Sequence, residues 1–495
     1  MATARSFVLV TVDCMRADHA GWLGYQRPTT PFLDCLAKES TVFSNATVAG
    51  APTYYSVPSI LASRHPLAFG RDLIGLAPGE ETIASVLQES GLATAAFAAA
   101  NPYVSDRFGF GRGFDVFCDF LGANEFVAPE TPMPVPGART RFNAALSRVS
   151  HALPGAGATY DELYFRYCQH KTSTDGASLD VLRRYPSADV IVDRAISWLN
   201  ENIGRPFFLW LHLMDPHAPY FPKAEALQLM GDDVPPAGNA AYVNAYWNRG
   251  DLSVARLRKR RGEVIRLYDA GIRWVDQQIR RLTETLVEMN LWDKCGLAVT
   301  ADHGEEFLEH GGRVHHPMKL TEELIHVPLL MRVPGMPHQQ IDAPVSLIDL
   351  GPTLLDALDL PSPADFRGRS RCETLQKRAA ITDPTITECI RGCTNPFHRN
   401  ARLGPRILAL RKEKFKLVLD FASGRDELFD LHADPEEMKP LLSNAHLATR
   451  RELLDRARTH VAESYKSRDF DKRNAMLLRE LRLEWAQSAP TGREN

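Results

Sequence analysis

The sequence predicts an α/β fold, with a mostly parallel central sheet sandwiched by helices and a small α+β subdomain after it. Three observations carry that prediction. Apolar, β-branched runs recur without polar alternation, as in strands buried on both faces. Helical patterns separate the runs, which argues for crossover connections and a parallel sheet. Carboxylates and imidazoles follow directly after three of the runs, and open α/β sheets bind ligands at the carboxyl ends of their strands.

The first strand is the run from Phe7 to Val12. Helical patterns follow at 31–39 and 81–89. Residues 94–97 read as the next strand, after a turn at Gly91. The alternation continues with a helix at 187–202, a strand at 206–213, a long amphipathic helical region at 253–289 and a strand at 292–300. Residues 128–158, rich in Pro, Gly and Ala, read as an insertion extending over about 128–180, and 230–248 reads as loop. From about 361 the character changes. A strand-like run covers 407–420, 427–431 precedes Asp434 and Pro435 and reads with that run as a small α+β subdomain, and 450–487 is a charged helical tail. The expected division is a catalytic unit at 1–365, a small α+β subdomain at 366–450 and a tail at 451–495.

The chain has 495 residues, 58 Lys and Arg against 61 Asp and Glu, and 44% hydrophobic residues. That balance excludes a strongly basic nucleic-acid binder and a disordered chain. No stretch approaches the ~18 consecutive apolar residues of a membrane span, and the run ending at Asp13 is too short for a signal-peptide core. The 8 cysteines are therefore expected as reduced thiols in a cytoplasmic protein. Neither nucleic acid nor a membrane is an expected partner, and the oligomeric state stays open.

Chemistry is expected at four places. Asp13 follows the first strand and is placed to bind metal, with Cys14, Arg16, Asp18 and His19 behind it; the bland alternative is a helix cap. His212, Asp215 and His217 lie together in a loop stiffened by Pro216 and Pro219. Here the bland alternative is a surface loop. Asp302 and His303 offer one hard oxygen and one nitrogen, suited to Zn²⁺ or Mn²⁺, and Gly304 lets the backbone turn beside an ion. Glu305, Glu306, Glu309, His310, His315, His316 and Lys319 crowd the same stretch. Ser56 or Ser59 is a candidate nucleophile at a helix start, with Pro58 at an early helical position where its missing N–H costs nothing. Cys389, Cys393 and His398 are a weaker zinc candidate without a fourth ligand. The basic run at 256–261 reads as a solvated helix face or a substrate rim.

Taken in order, these segments resemble the sulfatase family of the alkaline phosphatase superfamily. The resemblance rests on Asp13, Arg16, Asp18 and His19, then Thr30, Pro31 and Asp34, then Ser56, Pro58 and Ser59. Gly111, Gly113 and Asp115 continue it, followed by Asp215, His217 and Tyr220, by Tyr268 and Asp276, and by Asp302, His303 and Gly304. His310, Gly311, Pro328, Asp349, Pro352, Glu427, Asp430, Asp434 and Pro435 complete the set.

The resemblance implies a metal-dependent hydrolase of sulfate or phosphate esters acting on a small anionic substrate. By position, Asp13, Cys14, Asp302 and His303 would hold a divalent ion, with Mn, Zn, Ca and Mg all open. Ser56 would be the nucleophile. His212, His217 and His316 would bind the ester oxyanion or protonate the leaving group, and Lys319 would replace the family's later Lys. Asp215, Asn101 and Arg16 remain for a second metal or for substrate, Arg16 also for holding the metal loop.

Several positions depart from the family pattern. Ile60 stands where the Cys/Ser-x-Pro-Ser-Arg motif has Arg, and Cys14 where a second Asp is usual. Asn101 and its neighbours replace a Gly-Lys-Trp-His segment, and Pro317 falls at the Lys. Formylglycine at Ser56 is therefore not expected, and an unmodified hydroxyl would act as in alkaline phosphatase. A soluble phospho- or sulfo-group transferase and a degenerate, non-catalytic binding protein are the alternatives.

Overall fold

The computed structural model describes residues 4–122 and 179–466, apart from 72, 251, 314–318, 378–379, 394 and 443, together with positions 159 and 163. The insertion expected at about 128–180 and the tail beyond 466 lie almost wholly outside the described residues.

The first sheet contains β1 (Ser6–Val12), β2 (Thr41–Thr47), β3 (Ala93–Ala98), β4 (Val116–Cys118), β5 (Phe207–Leu213), β6 (Cys295–Ala301), β7 (His326–Arg332), β8 (Gln339–Ile341) and β9 (Val345–Ser346). Its order is β4-β3-β5-β1-β6-β7-β2-β8, with β9 beside β2. β1 runs parallel to β5 and β6, and β3 parallel to β5 and β4. Only β7 runs against its neighbours β6 and β2. β1, β5 and β6 are buried along their whole length, which is why they carry no polar alternation. The helix Arg261–Glu288 covers one face with a stripe of Val264, Leu267, Val275, Ile279, Leu282 and Leu286.

Four details correct the sequence reading. The region 253–289 is two helices, Val254–Arg258 and Arg261–Glu288. The loop expected at 230–248 holds the helix Ala237–Trp247, because burial of Tyr242, Val243, Tyr246 and Trp247 outweighs its Gly- and Asn-containing composition. The run at 407–420 is a hairpin, turning at Glu413 with φ +51°. β2 and β7 were not foreseen.

The second sheet is antiparallel, in the order β10 (Thr385–Ile390), β11 (Arg406–Lys412), β12 (Phe415–Asp420), β13 (Arg425–Asp430). Leu408, Leu410, Leu417 and Leu428 form its core with Leu453 and Ala457 of the helix Leu447–Lys466. The first part of the expected tail is thus a layer of this subdomain. Lys416 ties the subdomain to the first unit: it is fully buried, its Nζ 2.9 Å from Glu322 and 2.7 Å from Glu437. No helix among the described residues is long and apolar enough to cross a membrane.

Candidate functional site

Strand register assembles the site. Val12 lies opposite Leu213 on one side and Ala301 on the other, so the next residues, Asp13 and Asp302, emerge side by side at the carboxyl edge. Their side chains are fully buried. Asp302 Oδ1 accepts hydrogen bonds from the backbone N–H groups of Cys14 at 3.2 Å and His303 at 2.9 Å. Asp302 Oδ2 has no hydrogen-bond partner. His303 Nδ1 sits 2.7 Å from the Gly304 carbonyl, so that nitrogen carries the proton. Its Nε2 then faces Asp13 Oδ1 at 3.6 Å and Asp302 Oδ2 at 3.7 Å.

Thr53 completes this centre. It is the first residue of the helix Thr53–Leu61, and its Oγ1 lies 3.1 Å from His303 Nε2. The unpaired N–H groups of that helix's first turn favour an anion at the same point. On the far side, Asn101 Nδ2 donates to Asp13 Oδ2 at 2.9 Å, and His212 Nε2 stands 3.5 Å from the same oxygen. His212 is held by Thr11 Oγ1 at 2.9 Å from Nδ1, and Trp210 donates to that hydroxyl at 3.0 Å. The ligating atoms of Asp13, Cys14 and His217 also lie within 4.8 Å of one another, as do those of Asp13, Asp302 and His303.

Burial pushes the Asp13 carboxyl upward, but the imidazoles of His217, His212 and His303 outweigh it and hold the group far below the usual carboxylate range. Asp302 moves the other way, raised by burial and by the Asp13 charge beside it. Two buried carboxylates this close cannot both stay ionised without added positive charge. Burial and the Asp13 charge also push the Cys14 thiol well up, so it remains S–H and donates to Asp13 Oδ1 at 3.1 Å. The orphaned Asp302 oxygen, the oriented His303 lone pair and this excess of negative charge fit a divalent cation held by Asp13, Asp302 and His303.

Other expected residues fall elsewhere. Ser56 is buried one turn into the helix, and its Oγ turns back toward the Thr53 carbonyl at 3.5 Å. The helix begins three residues earlier than the sequence suggested, and Pro58 lies in its interior. The preference of Pro for first helical turns misplaced the start and hid Thr53. Both oxygens of Asp215 are taken, by Arg183 at 3.1 Å and the Ala188 N–H at 2.9 Å, so it anchors the helix Ala188–Glu201 instead of serving a second ion. Lys319 reaches Glu306 at 3.3 Å and the His310 carbonyl. His316 lies outside the described residues. Arg16 bridges Asp18, Glu309 and the Glu305 carbonyl, and so joins the loop after β1 to the loop after β6. Among the described residues, Cys389, Cys393 and His398 do not gather as a ligand set.

A nine-stranded, mostly parallel sheet with carboxylate, imidazole and hydroxyl groups converging at its carboxyl edge defines an alkaline phosphatase-like α/β protein. The sulfatase family model matches residues 5–360, and the chain belongs to that family. A model of the C-terminal part of N-sulphoglucosamine sulphohydrolase matches 313–463. Arylsulfatase K of Gallus gallus is 27% identical over 281 residues, covering 50% of this chain and 51% of the relative. Its Homo sapiens counterpart is 28% identical over 279 residues, 50% of each chain. The chain thus spans about half the length of the curated relatives it matches. A structure solved with its substrate D-glucosamine-2-N,6-O-disulfate superposes with a TM-score of 0.68 at 18% identity, over 94% of this chain and 99% of that one. A phosphonate monoester hydrolase from Silicibacter pomeroyi gives 0.66 at 19% identity, over 94% and 96%.

Proposed function

We propose that this protein is a metal-dependent hydrolase of phosphoric or sulfuric esters with Thr53 as its nucleophile. The observation that carries the reading is the Thr53 hydroxyl at 3.1 Å from His303 Nε2, at the start of a helix. A divalent ion bound by Asp13, Asp302 and His303 would supply the positive charge that steadies an ester oxyanion and acidifies a nearby hydroxyl.

The chain's own groups then divide the work. Thr53 Oγ1, its proton passed to solvent water, attacks the phosphorus or sulfur as the new O–P or O–S bond forms and the ester bond to the leaving group breaks. Free N–H groups at the helix start hold the transferred group's oxygens. His217, half-buried at the rim, is placed to give a proton to the leaving oxygen. Water then attacks the Thr53 ester and gives a proton back to His217, while the bond to Thr53 Oγ1 breaks and that oxygen takes a proton from solvent. Asn101 and His212 fix the Asp13 carboxylate throughout.

The residue type bears on the substrate. A formylglycine needs a primary side-chain carbon, and threonine's is secondary. Thr53 therefore has no second hydroxyl through which to expel the bound group by collapse to an aldehyde. Release must come from attack on the transferred atom, a step that phosphoryl transfer takes readily once charge and position are supplied. Phosphoric esters are thus favoured over sulfuric esters. Turnover of 4-nitrophenyl phosphate, bis(4-nitrophenyl) phosphate and 4-nitrophenyl sulfate by metal-loaded protein tests the reading. Phosphate release that requires Thr53 supports it, whereas no turnover of any of the three with Mn²⁺, Zn²⁺, Ca²⁺ or Mg²⁺ sinks it.

A further inference from the structure

The turn that carries His217 is gripped by three elements. The segment 183–188 supplies the first grip. Arg183 Nη1 donates to Asp215 Oδ1 at 3.1 Å, the Ala188 N–H donates to Asp215 Oδ2 at 2.9 Å, and the Tyr185 hydroxyl donates to the His217 carbonyl at 2.9 Å. The helix Arg261–Glu288 supplies the second. A Cβ at Gly271 would stand 2.5 Å from the Asp215 carbonyl oxygen and 3.0 Å from Pro216 Cα, so the helix backbone lies directly against the turn. Asn244 of the helix Ala237–Trp247 supplies the third. It accepts from the Tyr220 N–H at 2.7 Å and donates to the Tyr220 carbonyl at 3.0 Å.

Of these contacts, the Tyr185 bond is made to residue 217 itself. The His217 N–H donates to the Met214 carbonyl at 2.9 Å, and His217 Nδ1 donates to the Ala218 carbonyl. Nδ1 thus carries a proton, and Nε2 is the nitrogen left to exchange one. The ring reaches the centre, with a ligating nitrogen within 4.8 Å of ligating atoms of Asp13 and Cys14. The His217 carbonyl lies in the rigid peptide plane between the ring's own Cα and Ala218, whose carbonyl orients the ring. Holding that plane therefore holds the aim of the imidazole. Tyr185 is buried, and burial with the Asp215 and Asp13 charges outweighs Arg183 and pushes its phenol up, so it stays a donor.

We propose that Tyr185 is a positioning residue that aims His217 at the leaving oxygen, so that its hydroxyl matters for esters whose alcohol needs a proton to depart and little for esters whose alcohol departs as a stable anion. The inference rests on the site reading above, in which His217 is the proton donor. The Tyr185 hydroxyl is occupied by the backbone and acts through His217. A positioned acid is worth about 10²–10⁴-fold, and a misplacement of ~1 Å can cost about 10²-fold. A loosened His217 is therefore felt in proportion to the need for its proton.

Hydrogen exchange read by mass spectrometry tests the tether without turnover. Tyr185→Phe keeps the buried ring and removes the hydroxyl. Amides in 214–218 are expected to exchange about tenfold faster, while β1 and β5 keep wild-type protection and so report an intact fold. Turnover by metal-loaded protein tests the consequence. Tyr185→Phe is expected to lower kcat about tenfold for phenyl phosphate and by no more than about twofold for 4-nitrophenyl phosphate, whose phenolate leaves without a proton. In a His217→Ala background no donor remains to be aimed. Adding Tyr185→Phe there should change phenyl phosphate turnover by no more than about twofold. Unchanged exchange in 214–218 overturns the proposal. So does an equal loss on both esters, and so does a further tenfold loss in His217→Ala. Faster exchange in a protein that hydrolyses no ester supports the tether and removes the hydrolase reading.

Discussion

Thr53 Oγ1 lies 3.1 Å from His303 Nε2, although 250 residues separate the two in sequence. The contact exists because β6 delivers His303 to the same edge at which the helix Thr53–Leu61 begins. It joins a side-chain hydroxyl to the imidazole nitrogen that faces both carboxylates.

Replacement of Thr53 is the sharpest consequence. Thr53→Ala is expected to lower kcat by about 10⁴-fold or more, whereas Thr53→Ser keeps the hydroxyl and retains activity. Ser56→Ala should stay within about threefold of wild type, since its hydroxyl faces its own helix. Trapped intermediate analysed by peptide mass spectrometry should place the added group on Thr53. An adduct on Ser56 would reverse the assignment.

Asp302 separates metal binding from stability. Burial and the Asp13 charge raise its pKa, so the ionised form opposes folding when no cation is bound. Asp302→Asn is expected to abolish stoichiometric metal uptake, read by elemental analysis, and at the same time to raise the melting temperature of chelator-treated protein at pH 7. A variant that still holds one equivalent of metal would remove Asp302 from the ligands.

The contrast between Ser56 and Thr53 shows where the sequence was legible. Asp13, Asp302 and His303 announce themselves because they follow buried apolar runs, and His212 because it is the one imidazole in the last two positions of such a run; a parallel sheet has one place for such residues. Thr53 has no such marker. Its place depends on where a helix begins, and Pro58 points to a start later than the real one. β7 escaped for a related reason: it is antiparallel within a parallel sheet and has no crossover helix to flag it. The helix Ala237–Trp247 is decided by tertiary burial of its aromatic residues, which local composition does not register.

Glu388 makes the docking of the C-terminal helix depend on pH. Burial pushes its carboxyl up, but the hydrogen bond and charge of His460, with Arg406, lower it to about 2. A carboxyl held below its ordinary value stabilises the fold above the unfolded pKa of about 4.5 and loses that contribution as pH falls toward 2. Glu388→Gln should therefore cost about 3 kcal/mol in urea unfolding at pH 7, with the gap to wild type narrowing below pH 4.5. A gap that stays constant from pH 7 to pH 3 would contradict this.

Lys416 fixes the small sheet to the catalytic unit by facing Glu322 and Glu437 with no exposure of its own. Lys416→Met removes the cation and leaves both carboxylates buried. A loss of about 3–5 kcal/mol is expected, since breaking a buried pair strands the remaining charge. Calorimetry should show the second sheet melting earlier than the first. An unchanged single transition would show that the apolar contacts alone hold the two together.

Gly304 leaves no room for a side chain. A Cβ there would stand 1.9 Å from the Glu323 carbonyl oxygen, a backbone atom that cannot swing aside. The Gly304 N–H and its carbonyl are both engaged, the first with Leu324 at 2.9 Å and the second with His303 Nδ1 at 2.7 Å. Gly304→Ala must therefore move the segment that sets the His303 tautomer and aim. The sheet core lies on the other side of His303 and should remain intact. The expected result is metal affinity reduced about 10–100-fold, as when a ligand loses its orienting partner, with far-UV circular dichroism unchanged. Wild-type metal affinity in Gly304→Ala would mean that His303 is held by its carboxylate neighbours alone and that its bond to the Gly304 carbonyl does not position it.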